Sequence, residues 1–238
     1  MVNIILAGAG GRMGRAILNL LPNFKGLKPV GAVDAEGNPS IGKKVLDVTI
    51  SSDLSKIIGK CDVVVDFTSA EASIKNLSMA FDARKAIVIG ATGLNKSEMA
   101  ELKKASERIP VVYSPNMSVG VNVMWEIIKR ASDLLGKKYQ IDIVETHHVH
   151  KKDSPSGTAK KMIELVASDQ PVRVKSLREG EVVGEHTIIF SSPYEKLEIT
   201  HRALSREVFA AGALKAAEWI VGRPAGLYNM KDVIECNH

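Results

Sequence analysis

Gly8-Ala9-Gly10-Gly11-Arg12-Met13-Gly14 is the stretch that decides the fold. It directly follows an apolar run, Val2 to Ala7, that reads as a strand, and it opens a stretch, 12–21, that reads as a helix closed by Pro22. Glycines let a backbone turn tightly and approach a pyrophosphate, and the helix start adds free N–H groups and the positive end of a dipole. A bare G-x-G-x-x-G is a weak signal. Here a second strand, 28–34, follows and ends on Asp34, where a carboxylate can bond ribose hydroxyls. The third glycine is displaced: Met13 holds its position and Gly14 comes one later, so helix and strand must meet with slightly different packing.

Outward from this loop, short apolar runs alternate with amphipathic ones. A valine-rich strand is expected at 63–67, a helix at 70–83 with Ser69 as N-cap, and a strand at 86–89. Asn95 with Glu98 forms a capping-box pattern before the next helix, and 111–113 reads as a fifth strand. This alternation implies a parallel sheet with helices on both faces. Phe67-Thr68-Ser69 and Gly90-Ala91-Thr92-Gly93 follow two of the strands, at the edge where ligands sit in such sheets.

After Asn116 the pattern changes. A long helix is expected at 119–135, a strand at 140–148, a helix from near Thr158, and three β-like runs at 172–176, 182–190 and 196–201. Strands in a row suggest an open mixed or antiparallel sheet, hence a second domain. The helical stretch 207–221 is expected to pack back on the first domain. The fold class is therefore α/β: a Rossmann-like parallel-sheet domain of residues 1–116 and 206–238, plus a smaller α+β domain of 117–205 with an open mixed sheet. Crossings near 116–118 and 205–206 would leave a cleft for cofactor and substrate. There is no internal repeat and no low-complexity segment.

The net charge of +5 suits an enzyme that handles anions; without dense Lys/Arg blocks, and with 5% aromatics, it argues against nucleic acid. Cys61 and Cys236 lie far apart, outside any C-x-x-C pair, and read as free thiols in a reducing compartment. The N-terminal apolar run is too short for an export signal, and no stretch approaches the roughly 20 apolar residues of a membrane span. A cytoplasmic protein is expected. Ala35 follows Asp34 with no arginine near, which favours NADH over NADPH. Lys43 and Lys44 in the next loop could partly serve NADPH or simply form a solvated charged loop.

The densest polar cluster is Glu145-Thr146-His147-His148-Val149-His150-Lys151-Lys152-Asp153-Ser154-Pro155-Ser156-Gly157-Thr158. His148 and His150 would share a strand face, but no third ligand is evident, so no metal is expected. A proton-transfer and anion site explains the cluster better: histidine titrates near neutrality and lysine supplies positive charge and a proton. Ser156-Gly157-Thr158 sits where a helix begins and could hold a carboxylate. Such a site beside a nicotinamide site points to reduction of a small acidic substrate.

On these residues the chain resembles the bacterial dihydrodipicolinate reductases along nearly its whole length. The matching stretches are GAGGRMGR (8–15), VVDFTS (64–69), VIGATGL (88–94), PNMSVGVNV (115–123), ETHHVHKKDSPSGTA (145–159), GEHT (184–187), EITHRALSR (198–206) and GLYNMKDV (226–233). The resemblance implies hydride transfer from NAD(P)H to an unsaturated cyclic dicarboxylate, giving tetrahydrodipicolinate in lysine and diaminopimelate biosynthesis. It implies cofactor contacts from Gly8, Ala9, Gly10, Gly11, Arg12, Met13, Asp34, Gly90, Ala91, Thr92, Ser114, Pro115, Asn116 and Met117. It implies proton chemistry by His147 and Lys151, substrate contacts from His148, Gly157 and Thr158, and a tetramer built by the C-terminal domain. The chain departs from longer members by a shortened loop between 166 and 183, which puts that loop's part in tetramer contacts in doubt. Ser114-Pro115 also replaces the small residues often seen there. Another two-domain Rossmann dehydrogenase of amino acids or semialdehydes would share the glycine loop but give no reason for the histidine cluster. A non-catalytic NAD(H) sensor would carry a DNA- or partner-binding module, and none is visible.

Overall fold

The computed structural model describes residues 1–166 and 171–235. In chain order the elements are β1 (Val2–Ala7), α1 (Arg12–Leu20), β2 (Leu27–Val33), β3 (Lys44–Val45), β4 (Val48–Ser51), β5 (Val63–Asp66), α2 (Ala70–Asp82), β6 (Ala86–Ile89), α3 (Lys96–Ser106) and β7 (Pro110–Tyr113). They continue as α4 (Val119–Leu135), β8 (Gln140–His147), α5 (Gly157–Val166), β9 (Val172–Arg178), β10 (Gly184–Ser191), β11 (Lys196–Ala203), α6 (Glu207–Ile220), β12 (Gly226–Tyr228) and α7 (Met230–Glu235). The chain divides into two compact units, Met1–Met117 with Phe209–His238, and Ser118–Val208.

The first unit is built on a sheet of order β12-β7-β6-β5-β1-β2-β4-β3, parallel except for the β3–β4 hairpin. Strand order reverses between β1 and β5, the switch point at which open α/β sheets bind ligands. Every residue of β5 and β6 is buried, as their continuous apolar runs require. Ile5, Val64 and Ile87 pack with Leu77 of α2 and Leu102 of α3 in one core. Two helix starts follow their sequence signals. Ser69 Oγ accepts from Ala72 N. Asn95 Oδ1 accepts from Ser97 N and Glu98 N while Glu98 Oε2 accepts from Asn95 N, a capping box in which the cap alone stabilises by about 1 kcal/mol.

Four short elements, β3, β4, β12 and α7, were not legible. Lys44 lies in a two-residue strand of a hairpin, not in a plain loop, and β12 is a three-residue edge strand. Neither is long enough to show a period. Buried Cys61 donates to Ile58 O, and burial pushes its thiol up to about 11, so it is an inert core residue. Cys236 lies outside the described residues.

The second unit carries a four-stranded sheet of order β11-β10-β8-β9, with β8–β9 parallel and the other pairs antiparallel. Burial alternates along β8 and β10 with period two. Ile141, Ile143, Ile188 and Phe190 therefore share one face and pack with Trp125 and Ile128 of α4 and Met162 of α5. Further along the same face, polar residues replace apolar ones: Glu145 and His147 on β8, His186 on β10.

Candidate active site

Val33, Ala7, Asp66, Ile89 and Tyr113 lie side by side in register across the first sheet. One residue further on come Asp34, Gly8, Phe67, Gly90 and Ser114. The cofactor residues expected from sequence therefore start from a single row of strand ends. Gly8 has φ +83, and a Cβ there would lie 2.8 Å from Phe67 O; a Cβ on Gly90 would lie 2.3 Å from the Phe67 ring. Asp66, fully buried, holds this turn by accepting from Thr68 N, Thr68 Oγ1, Ser73 Oγ and Asn76 Nδ2. Burial raises the Asp66 pKa despite those bonds.

Gly11 is the N-cap of α1 and offers no side-chain cap, so the first-turn N–H groups are left for an anion. Asp34 Oδ2 accepts from Gly10 N at 2.6 Å, and Oδ1 from Ala35 N and Asn38 Nδ2. The displaced glycine has a clear duty. A Cβ on Gly14 would stand 2.1 Å from Gly8 O and 2.7 Å from Ala9 Cα. Gly14, not position 13, thus lets helix and loop touch. The bare helix start, the glycine loop and the strand-end carboxylate fit a dinucleotide. Ser114 Oγ donates to Asn116 O within the 114–117 segment, and Met117 is buried.

The other expected residues gather in the second unit. His147 is buried at the end of β8, and its Nδ1 meets Glu145 Oε2. Nη1 and Nη2 of Arg178 each lie 3.2 Å from Glu145 Oε1. Lys151 Nζ pairs with Asp153 Oδ1 at 2.9 Å. The ring of His186 stands edge-on to His147 at 4.9 Å, and its Nε2 is 3.0 Å from Ser156 Oγ. Ser156 also accepts from Ala159 N, so its hydroxyl caps α5, while Gly157 opens onto free space. Thr158 is buried in the first turn. His148 lies just past the strand, and the exposed His150 reaches toward Glu181. The expected shared strand face of His148 and His150 does not form, because β8 ends at His147.

Burial disfavours charge on Glu145, but hydrogen bonding from Ser176 and the charges of His147 and Arg178 outweigh it and hold its carboxyl below the usual range. Burial, then the cations Lys151 and Arg178, hold His147 below the ordinary histidine value against the opposing pull of Glu145. His186 is pushed down to about 3, first by burial and then by His147.

Glu145, His147 and His186 bring three donor atoms within 4.8 Å of one another. Sequence reasoning quoted Glu145 and His186 within its motifs but gave neither a role, and it did not single out Arg178; for Glu145 the period-two pattern was the available signal. Arg178 pairs with Glu145 of this trio and Lys151 with Asp153 beside it, so each cation in the cluster faces a carboxylate.

Residues 2–117 match the family model described as dihydrodipicolinate reductase, N-terminus, and 120–234 the one described as dihydrodipicolinate reductase, C-terminus. The 4-hydroxy-tetrahydrodipicolinate reductase of Anaeromyxobacter dehalogenans strain 2CP-1 is 42% identical over 264 residues, covering 98% of each chain. That of Syntrophus aciditrophicus strain SB is 40% identical with the same coverage. A dipicolinate-bound dihydrodipicolinate reductase from Paenisporosarcina sp. TG-14 has a TM-score of 0.82 at 19% identity, covering 96% of this chain and 97% of that one. An amine dehydrogenase from Mycobacterium smegmatis shares the fold at TM-score 0.64 and 11% identity, covering 96% and 95%. Matched in both halves and along nearly its full length, the chain belongs to the dihydrodipicolinate reductase family of oxidoreductases.

Proposed function

We propose that the chain reduces 4-hydroxy-tetrahydrodipicolinate to tetrahydrodipicolinate with a reduced pyridine nucleotide, in lysine and diaminopimelate biosynthesis. The observation that carries this reading is a buried imidazole flanked by two cations, Lys151 and Arg178, beside the open start of α5. Such a site attracts a small cyclic dicarboxylate. Gly157, Thr158, the Ser156 backbone and His148 hold its carboxylates. The nucleotide, held by Gly8 to Met13, Asp34, Gly90 to Thr92 and Ser114 to Met117, supplies a hydride. The 4-hydroxyl leaves as water with a neighbouring ring proton, giving a conjugated imine. The hydride then adds at C4, and His147 supplies the proton, its Nε2–H bond breaking as a C–H bond forms at the adjacent ring carbon and the imidazolium becoming neutral imidazole. Lys151 holds substrate charge and supports the transfer. A fall in NADH absorbance on adding freshly made substrate tests the activity; no fall would sink it.

The pH dependence follows from charge. A general acid must be protonated, so kcat/KM falls as pH rises through the lowered pKa of free-enzyme His147. Bound dianion places negative charge near the ring and raises that pKa. The fall in kcat is therefore expected at higher pH than the fall in kcat/KM. Coincident profiles would remove His147 as the acid.

NADH is the preferred donor and NADPH a possible one, because the Asp34 carboxylate repels a 2′-phosphate and Ala35 offers it no partner. Asp34→Ala should shift preference toward NADPH, and NADH affinity should also fall as Gly10 N loses its acceptor. A wild-type enzyme with strong NADPH preference would instead promote Lys43 and Lys44, although Lys44 is engaged by Asp47 at 3.4 Å.

The open sheet of the second unit exposes Val174 and Leu197. Covering it by self-association leads to a homotetramer, and a monomer by light scattering at micromolar concentration would contradict that. Among the described residues no helix is long and apolar enough to cross a membrane, and the proposed biosynthetic role suits the cytoplasm.

A further inference from the structure

β8 delivers Glu145 two positions before His147, on the face where Ile141 and Ile143 enter the core. A carboxylate fully buried at a core position is destabilising unless paired. Its partner is Arg178, which stands directly opposite His147 in the parallel β8–β9 ladder. The same guanidinium reaches further: Nε donates to Lys151 O at 3.2 Å and Nη2 to Asp153 O at 2.6 Å. One side chain thus holds both the carboxylate facing His147 and the loop carrying Lys151.

We propose that Glu145 and Arg178 are positioning residues that fix the His147 ring and the Lys151 loop in one geometry for proton delivery. This rests on the assignment of proton chemistry to His147 and Lys151. Glu145 Oε2 lies against His147 Nδ1, which favours a proton on Nδ1 and leaves Nε2 as the atom that exchanges the reacting proton. Gly184 of β10 keeps that atom accessible, since a Cβ there would stand 3.1 Å from His147 Nε2. After donation the neutral ring keeps its Nδ1–H on Glu145, so it neither flips nor loses its aim. The charged or titratable groups around His147 are Glu145 on β8, Arg178 on β9, His186 on β10, and Lys151 and Asp153 on the loop; His201 of β11 acts on His186.

Nitrogen-15 NMR of wild-type protein labelled in histidine should find neutral His147 with its proton on Nδ1. A proton on Nε2 instead would overturn the proposal, with no variant required. Glu145→Gln should lower kcat at least about tenfold with KM nearly unchanged, the effect of a misoriented imidazole. In a His147→Ala background the same change should cost much less than in wild type, only what it takes from the Lys151 loop through Arg178; an undiminished loss there would overturn the proposal. Arg178→Lys keeps the charge but loses the fork, so it should raise KM and lower kcat together. Full turnover in Glu145→Gln, with His147→Ala inactive, sinks this inference and leaves the His147 assignment standing. Full turnover in His147→Ala sinks the assignment itself. If Glu145→Gln does not fold, the wild-type tautomer and Arg178→Lys decide.

Discussion

His147→Ala is expected to lower kcat about 10²- to 10⁴-fold at saturating substrate, the range for loss of a general acid. Lys151→Ala should both raise KM and lower kcat if, as proposed, its charge engages substrate as well as supporting proton transfer. Affinity for NADH should survive both changes, since every residue assigned to the cofactor lies in the first unit. The buried Glu145 would face a void in His147→Ala, at about 1–3 kcal/mol for the lost partner, so His147→Gln is the better-folded control. Stopped-flow turnover beside cofactor titration separates the effects. Near-normal turnover in both His147 variants would transfer the role to His148 or a bound water.

Gly14→Ala should be nearly as damaging, by another route. The new methyl would stand 2.1 Å from Gly8 O, and the obstacle is backbone, which cannot swing away. Overpacking of this kind costs about 1–3 kcal/mol, occasionally more. Relief requires moving the loop proposed to hold the pyrophosphate, so NADH affinity should fall along with the melting temperature. Gly59→Ala is the control, because a Cβ there meets nothing within 4 Å. Equal melting temperatures and NADH affinities for the two variants would mean that α1 does not touch the loop as described.

The long elements were legible because each carries a full period of apolar residues. Val119–Leu135 and Ala86–Ile89 fall where the spacing put them, and Ser69 and Asn95 cap as their side chains dictate. The reading of 140–148 ran one residue past β8, and that residue, His148, was half of the strand face weighed for a metal and set aside. Arg178 was out of reach for a different reason. It meets Glu145 only because β9 pairs with β8 in one register, and a slip of one residue would turn it to the other face. Pairing partners are set by tertiary packing, which a single chain's spacing does not encode. The match of family motifs named the chemistry, but the carboxylate and guanidinium behind His147 emerged from the ladder.

The first unit closes its sheet with β12, laid parallel on β7 through Gly226, Leu227 and Tyr228. A ribosome must therefore release the whole of Ser118–Val208 before the nucleotide-binding sheet can receive its last strand. At typical elongation rates of about 5–20 residues per second, the β7 edge waits for several seconds with its backbone unpaired. That interval is a window for chaperone capture or strand exchange between nascent chains, and it ends only when the tail of the chain emerges. A chain stopped after Val208 should leave the second unit whole and the first with an open edge. Synthesis direction thus makes a strand that emerges only after the whole second unit a requirement for finishing the domain begun first.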